Sequence, residues 1–81
     1  MKVRVKLFAM LRERAGAADA LHDVPEGTTV RGLWEMLRRE HPGLAGIDLK
    51  LLHAVNSEYV GLEQPLADGD EVAFIPPVSG G

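Results

Sequence analysis

The chain has 81 residues, enough for one domain with a small core, and its lack of cysteine excludes disulfides, thiolate nucleophiles and cysteine-based metal sites. The net charge is −3, but all nine Lys and Arg lie between Lys2 and Lys50, so residues 51–81 carry Asp and Glu but no Lys or Arg. This asymmetry argues against a nucleic-acid partner. It indicates either a solvated surface or, as the alternative, steering of this half toward a basic partner.

The first predicted element is a half-buried strand over residues 2–8. Apolar and basic residues alternate, which puts Val3, Val5 and Leu7 on one face, whereas parity puts Phe8 on the basic face. The chain opens on a strand and no apolar run approaches the roughly 20 residues of a membrane span. No signal peptide and no membrane partner are therefore expected, and the expected location is the cytoplasm.

Two short elements follow. Residues 9–15 predict a helical turn that stops at Gly16 in the left-handed conformation. Residues 20–24 predict a second strand, and Pro25-Glu26-Gly27 predicts a turn.

The main helix is predicted near residues 30–40. Its apolar residues fall at i, i+3, i+4 and i+7, namely Val30, Leu33, Trp34 and Leu37. Thr29 is the expected N-cap, and Pro42 predicts an end near Glu40. Trp34 lies on the apolar stripe, so we interpret it as a core residue.

The remainder predicts a loop at 43–48, a third strand at 51–55, and a short fourth strand at 58–60 after a turn at Asn56-Ser57. Asp68-Gly69 predicts a tight turn into a last strand at 71–75. On this strand Val72 and Phe74 share one face, while Ala73 and Ile75 share the other. The pattern predicts an α+β domain in which one helix packs across a mixed sheet.

The end of the chain has neither helical nor strand periodicity. It reads Pro76-Pro77-Val78-Ser79-Gly80-Gly81. The prolines cannot continue a helix or an inner strand, and the two glycines contribute nothing to a core. We predict a folded domain over 1–75 and a flexible tail over 76–81. A frayed end or a cloning scar is the alternative, but the stiff prolines favour a tail projected for use, with the Gly81 carboxylate as the working group.

No enzyme signature is found in the sequence. His22, His41 and His53 lack metal-ligand spacing, and Asp68 and Asp70 are explained by turn chemistry. Three large apolar residues, Phe8, Tyr59 and Ile75, are expected on the sheet face away from the helix. Next to a projecting tail, they predict a surface that docks a partner protein.

Several segments carry a family resemblance. The longest is Leu66 to Gly81, in which Asp68-Gly69-Asp70-Glu71-Val72 leads into Pro76-Pro77-Val78-Ser79-Gly80-Gly81. The two shorter ones are Phe8-Ala9-Met10-Leu11-Arg12-Glu13, with Gly16, and Ala54-Val55-Asn56. They resemble the MoaD family, the small subunits of molybdopterin synthase, which are ubiquitin-like sulfur carriers of the β-grasp fold. The match extends over nearly the whole chain, although residues 17–50 resemble the family only in pattern.

The resemblance implies a carrier that is non-catalytic alone and binds no cofactor or metal itself. A ubiquitin-activating-type adenylyltransferase of the MoeB family would use ATP to adenylate Gly81, and a sulfur donor protein would convert it to a thiocarboxylate. The tail would then enter the large subunit, of the MoaE family, and donate sulfur to cyclic pyranopterin monophosphate in molybdenum cofactor biosynthesis. The alternatives are a related carrier for thiazole synthesis, tRNA thiolation or protein conjugation, and an inert ubiquitin-like interaction module.

Overall fold

Five strands and three helices make up the part of the chain that the structure, a computed structural model, describes: residues 1–16, 19–47 and 50–77. In chain order they are β1 (Lys2–Leu7), α1 (Met10–Ala15), β2 (Asp19–Asp23), α2 (Val30–Glu40), α3 (Pro42–Ala45), β3 (Leu52–Val55), β4 (Glu58–Tyr59) and β5 (Glu71–Ile75). None of these helices is long and apolar enough to cross a membrane.

The strands form one mixed sheet in the order β2-β1-β5-β3-β4. Strand β1 runs parallel to the central strand β5, and the other neighbouring pairs are antiparallel. Helix α2 covers one face of this sheet. The predicted α+β class is confirmed, and so is the β-grasp arrangement of one main helix on a mixed sheet.

The core lies between the sheet and α2. The side chains predicted to face the helix are buried: Val3, Val5 and Leu7 from β1, and Val72 and Phe74 from β5. Trp34 packs on this core with its ring centroid 5.1 Å from that of Phe74. Full burial of one such side chain is worth about 1.5–3 kcal/mol, so the alternation in β1 and β5 fixes which sheet face α2 covers.

Helix α2 begins and ends where the sequence predicts. The Thr29 hydroxyl oxygen accepts a hydrogen bond of 3.2 Å from the Gly32 amide, and the helix ends at Glu40. The loop predicted from residue 43 is wrong at its start, because Pro42–Ala45 form α3 with Pro42 in its first turn. Gly43 lets α3 approach α1, since a Cβ there would collide with the Arg14 carbonyl oxygen.

The predicted turns are confirmed by their backbone angles. Gly16 closes α1 in the left-handed conformation with φ 76°. Asn56 and Ser57 have φ 51° and 72°, as a tight hairpin turn between β3 and β4 requires, and Gly69 has φ 88°.

Candidate functional site

The sheet face opposite α2 carries a group of apolar side chains at the end where β5 leaves the sheet. The register places Leu52 opposite Ile75, and Tyr59 opposite Ala54, which in turn lies opposite Ala73. Phe8 follows β1 on the same face. We call Phe8, Leu52, Tyr59 and Ile75 the apolar face.

Large parts of these side chains are in contact with solvent. Phe8 is 45% exposed, Leu52 44% and Tyr59 72%, while Ile75 is half-buried between its neighbours. Phe8, Tyr59 and Ile75 line one shallow depression of about 350 Å³. The structure therefore brings together the three residues predicted to dock a partner, and their role in docking stays a prediction.

Charged side chains border the depression on one side. The Lys6 ammonium lies 3.6 Å from the Glu71 carboxylate, and both residues line the depression. Both side chains are about 40% exposed (39% and 41%), so this ion pair adds little stability. Its position at the edge of an apolar depression is the one expected for the polar rim of a protein interface.

Phe8 is held by a strained connection between β1 and α1. The Phe8 amide donates to the Phe74 carbonyl oxygen at 3.3 Å, and the Phe8 carbonyl oxygen accepts from the Leu11 amide at 3.1 Å. Between these bonds Ala9 adopts φ 52° and ψ −128°, a region that favours glycine. Backbone strain at such a position persists only where the surroundings impose it.

Tyr59 is positioned by a side-chain network that links the β3–β4 turn to β5. The Asn56 amide group donates to Asp70 at 2.9 Å and accepts from the Glu71 amide at 3.0 Å. The other Asp70 carboxylate oxygen accepts from the Ala67 amide at 2.8 Å. Asp70 therefore serves the turn, as predicted, whereas Asp68 accepts a hydrogen bond of 2.7 Å from the Lys2 amide and so joins this turn to the start of β1.

The exit of the tail is defined by its first two residues. Pro76 is buried and shares the parity of Val72 and Phe74, which face the helix, whereas Pro77 is exposed. Pro76 therefore belongs by its packing to the folded body. The remaining predicted tail residues, Val78, Ser79, Gly80 and Gly81, lie outside the described residues, and the flexibility predicted for the tail stays a prediction.

The acidic half of the sequence does not gather its charge at the tail exit. Asp70 and Glu71 lie at the beginning of β5, and Glu71 is four residues, or about 13 Å, from Ile75. At the exit end, Arg12 lies on α1, the element that follows β1, and Lys50 lies two residues before the start of β3. The strand direction therefore favours the solvated-surface interpretation over steering of the tail by negative charge.

The histidines form no catalytic or metal-binding arrangement in residues 1–16, 19–47 and 50–77, where no cluster of His, Asp or Glu could hold a metal ion. His53 packs edge-on against Phe74, with ring centroids 6.0 Å apart. Burial lowers the pKa of His53 below its ordinary value of 6.5, and a hydrogen bond with the Val60 backbone opposes this shift. The group is thus a neutral packing residue near neutral pH.

Leu52 is the member of the apolar face that sequence reasoning missed. The predicted third strand included Leu52, but its face depends on the register between β3 and β5. Because both Ala54 and Val55 are apolar, the alternation of polar and apolar residues along β3 does not show which side chains face the helix. The sequence held no signal for this position, because only the register, with Ala54 opposite Ala73, places Leu52 beside Ile75.

Comparisons with known proteins agree with this geometry. The model described as ThiS family matches residues 5–81. The chain is 43% identical over 81 residues to the molybdopterin synthase sulfur carrier subunit of Escherichia coli, covering 98% of this chain and 99% of that protein. The crystal structure of SAMP1 from Haloferax volcanii superposes with a TM-score of 0.88 at 34% identity, covering both chains completely. A complex of subunits 1 and 2 of molybdopterin-converting factor from Helicobacter pylori contains a similar chain, with a TM-score of 0.68, 25% identity and complete coverage of both chains.

Proposed function

The chain belongs to the ThiS family, and from this premise we propose that it is the sulfur carrier subunit of a molybdopterin synthase, with the Gly81 carboxylate as the reacting group. The observation that carries the proposal is the apolar face beside the exit of a chain that ends in Gly80-Gly81. A docking surface at the base of a slim terminus is what a carrier needs when its working atom must enter another protein. The proposed site of action is the cytoplasm.

The proposed chemistry begins with activation of the carboxylate. An oxygen of Gly81 attacks the α-phosphorus of ATP in an activating adenylyltransferase, pyrophosphate leaves, and an acyl-adenylate forms. Sulfide supplied by a donor protein then displaces AMP at the carbonyl carbon, which leaves a thiocarboxylate. The activating enzyme binds the nucleotide, and in this proposal the chain itself binds no cofactor.

The second stage takes place in the large subunit of the synthase. The thiocarboxylate sulfur attacks a carbon of cyclic pyranopterin monophosphate and displaces an oxygen substituent there, and water then hydrolyses the resulting thioester, which restores the Gly81 carboxylate and leaves the sulfur on the pterin. A dithiolene needs two sulfurs, so each product consumes two charged carriers. The similar chain in the complex of subunits 1 and 2 of molybdopterin-converting factor supports a large-subunit partner.

The terminal glycines suit this route because they have no Cβ. A channel that admits only backbone excludes every other residue, and a valine at position 80 or 81 should block entry. A chain lacking Gly81 should fold normally, because a frayed terminus contributes almost nothing to stability. Its new carboxylate would fall about 3.3–3.6 Å short of the reaction centre, whereas misplacement by about 1 Å can cost about 100-fold in rate.

The test is intact-mass measurement after incubation of the carrier with its activating enzyme, ATP and sulfide. We expect the mass gain of one oxygen-to-sulfur exchange in the full chain and none in the Gly81 deletion, in Gly81→Val, or in a chain with one added residue. Sulfur transfer to the pterin is then measured with the large subunit present. Absence of the mass gain in the full chain would contradict the proposal and leave an inert interaction module, whereas thiocarboxylate formation in the Gly81 deletion would refute the required position of the carboxylate.

A second candidate is a protein modifier, which the structural similarity to SAMP1 favours. Here the activated Gly81 carbonyl would form an isopeptide bond with a lysine ammonium after deprotonation, with release of AMP. Because no Lys or Arg follows Lys50, trypsin digestion would leave residues 51–81 attached to the partner lysine through Gly81, and a branched peptide of that mass would support this function. A related carrier for thiazole synthesis or tRNA thiolation would instead accept the same sulfur but pass none to the pterin.

A further inference from the structure

Strand β2 presents a free backbone edge. It is the outer strand of the sheet and, in the part of the chain that the structure describes, pairs only with β1. Met1 and Val24 exchange two hydrogen bonds of 2.9 Å, which determines which residues of β2 hydrogen-bond to β1 and which do not. By that alternation Ala20 and His22 bond to β1, while Leu21 and Asp23 turn their N–H and C=O groups toward the free edge.

An apolar groove runs beside this edge, between β2 and the last turn of α2. Its volume is about 180 Å³, and its apolar lining consists of Val5, Leu7, Ala20 and Leu37. Apolar cavities of roughly 150 Å³ bind benzene-sized groups, so the groove has room for a branched aliphatic side chain. The pair of His22 and Glu40, 3.5 Å apart, spans it from strand to helix.

The other side of β2 carries two acidic residues and one exposed apolar residue, and one of the acids, Asp19, also forms an exposed ion pair of 3.3 Å with Arg4 of β1. Asp19, Leu21 and Asp23 alternate there, and Leu21 is 61% exposed. A second copy of the chain fits this edge poorly. Antiparallel pairing of two β2 strands about Leu21 would set Asp19 of each copy opposite Asp23 of the other, and like charges directly opposite are destabilising.

We propose that the β2 edge and its groove bind an extended basic–aliphatic segment of a partner protein as an additional strand. A residue opposite Leu21 would exchange two hydrogen bonds with its backbone. The two residues flanking it would point to the α2 side, where aliphatic side chains enter the groove. The next residue on either side would lie opposite Asp19 or Asp23, where Lys or Arg is complementary. The resulting pattern is basic-aliphatic-any-aliphatic-basic.

This site involves neither the tail nor the apolar face, so its test is separate from that of the proposed function. The probe is a fluorophore-labelled, end-capped Lys-Ile-Val-Ile-Lys peptide, whose palindromic sequence suits either strand direction. Binding to the full chain is followed by anisotropy. Three matched peptides separate the contributions of charge, backbone hydrogen bonding and apolar contact. Glu-Ile-Val-Ile-Glu reverses the charge, Lys-Ile-Pro-Ile-Lys removes the central N–H donor, and Lys-Ser-Val-Ser-Lys replaces the aliphatic side chains that would enter the groove.

Each of the three control peptides should bind about tenfold more weakly than the probe. The protein variant Asp19→Asn/Asp23→Asn should reduce the preference for the lysine peptide over the glutamate peptide to less than about twofold. The control variant Glu58→Asn/Glu63→Asn, which removes the same charge elsewhere, should keep that preference. In the complex, the Leu21 and Asp23 amides should become protected from hydrogen exchange.

Three results would overturn the inference. One is the absence of saturable binding up to about 1 mM peptide, and another is equal binding of the proline and valine peptides. The third is protection of the Leu21 amide in a concentration-dependent dimer without peptide, since a second copy would then occupy the edge.

Discussion

Replacement of Ile75 by aspartate separates docking from folding. Ile75 is half-buried on the apolar face, opposite Leu52 in the register of β3 and β5, while its neighbour Phe74 is fully buried under α2. A carboxylate at position 75 would therefore enter the proposed interface with the large subunit and not the core. The variant should fold but bind the large subunit more weakly.

The size of the effect follows from burial. Full burial of an isoleucine side chain is worth about 1.5–3 kcal/mol, and Ile75 is already half-buried, so covering the rest is worth about 0.8–1.5 kcal/mol, or about 4- to 13-fold in affinity. An unpaired carboxylate in the interface adds a desolvation cost, which brings the expected loss to about tenfold or more. The free energy of unfolding should fall by only about 1 kcal/mol, the range of strand propensities.

Calorimetric titration against the large subunit measures the affinity, and urea unfolding measures the stability. Leu21→Asp is the matched control, because Leu21 is an exposed leucine on the same sheet face but on the distant strand β2. It should leave the affinity within about twofold, as expected outside an interface. If Ile75→Asp unfolds the domain, Ile75 is a core residue; if it binds as tightly as the unmodified chain, the partner docks elsewhere.

Three further predictions concern the elements that hold the apolar face. Asn56→Ala should lower the free energy of unfolding by about 2 kcal/mol, because it removes two side-chain hydrogen bonds and strains the turn. Asn56→Gly should lower it less, since glycine adopts φ 51° without strain. Equal losses of stability in urea titrations of the two variants would contradict a contribution from backbone strain at position 56. Ala9→Gly should raise the free energy of unfolding by about 1 kcal/mol by relieving strain at φ 52°, and a loss of stability would refute that strain. Burial lowers the pKa of His53 from 6.5, so the unfolded chain binds a proton there before the folded chain does, and stability should fall as the pH drops below about 6.5. His53→Gln should flatten the stability profile between pH 7 and the lowered pKa, and an unchanged slope in that variant would assign the effect to another group.

The sequence predicted most reliably what depends on local signals. The apolar spacing of α2, its Thr29 cap and the block at Pro42 all act within a few residues, and the helix has the predicted bounds. Helix α3 escaped prediction because four residues are too few to show a period. Its place depends on contact between Gly43 and the Arg14 backbone, far apart in the sequence.

The candidate site shows the same division between local and long-range information. Parity within a strand put Phe8 and Ile75 on the exposed face, and both are there. Parity cannot say which strands are neighbours, so it could not add Leu52 or reveal that Asn56 joins the β3–β4 turn to Asp70. The charge asymmetry alone could not choose between a solvated surface and steering for a related reason, since strand direction places Asp70 and Glu71 at the end opposite the tail exit.

The packing of Pro76 links docking to chemistry. With Pro76 held in the body, the segment that can project has five residues, Pro77 to Gly81, and spans at most about 17–18 Å at roughly 3.3–3.6 Å per residue. Ile75 lies one residue before this anchor on the apolar face, so docking through Ile75, as proposed, would fix the starting point of the tail to within one residue. Because misplacement by about 1 Å can cost about 100-fold in rate, we expect the apolar face to place the Gly81 carboxylate as well as to supply affinity. A docking surface elsewhere on the domain would supply the affinity without this placement.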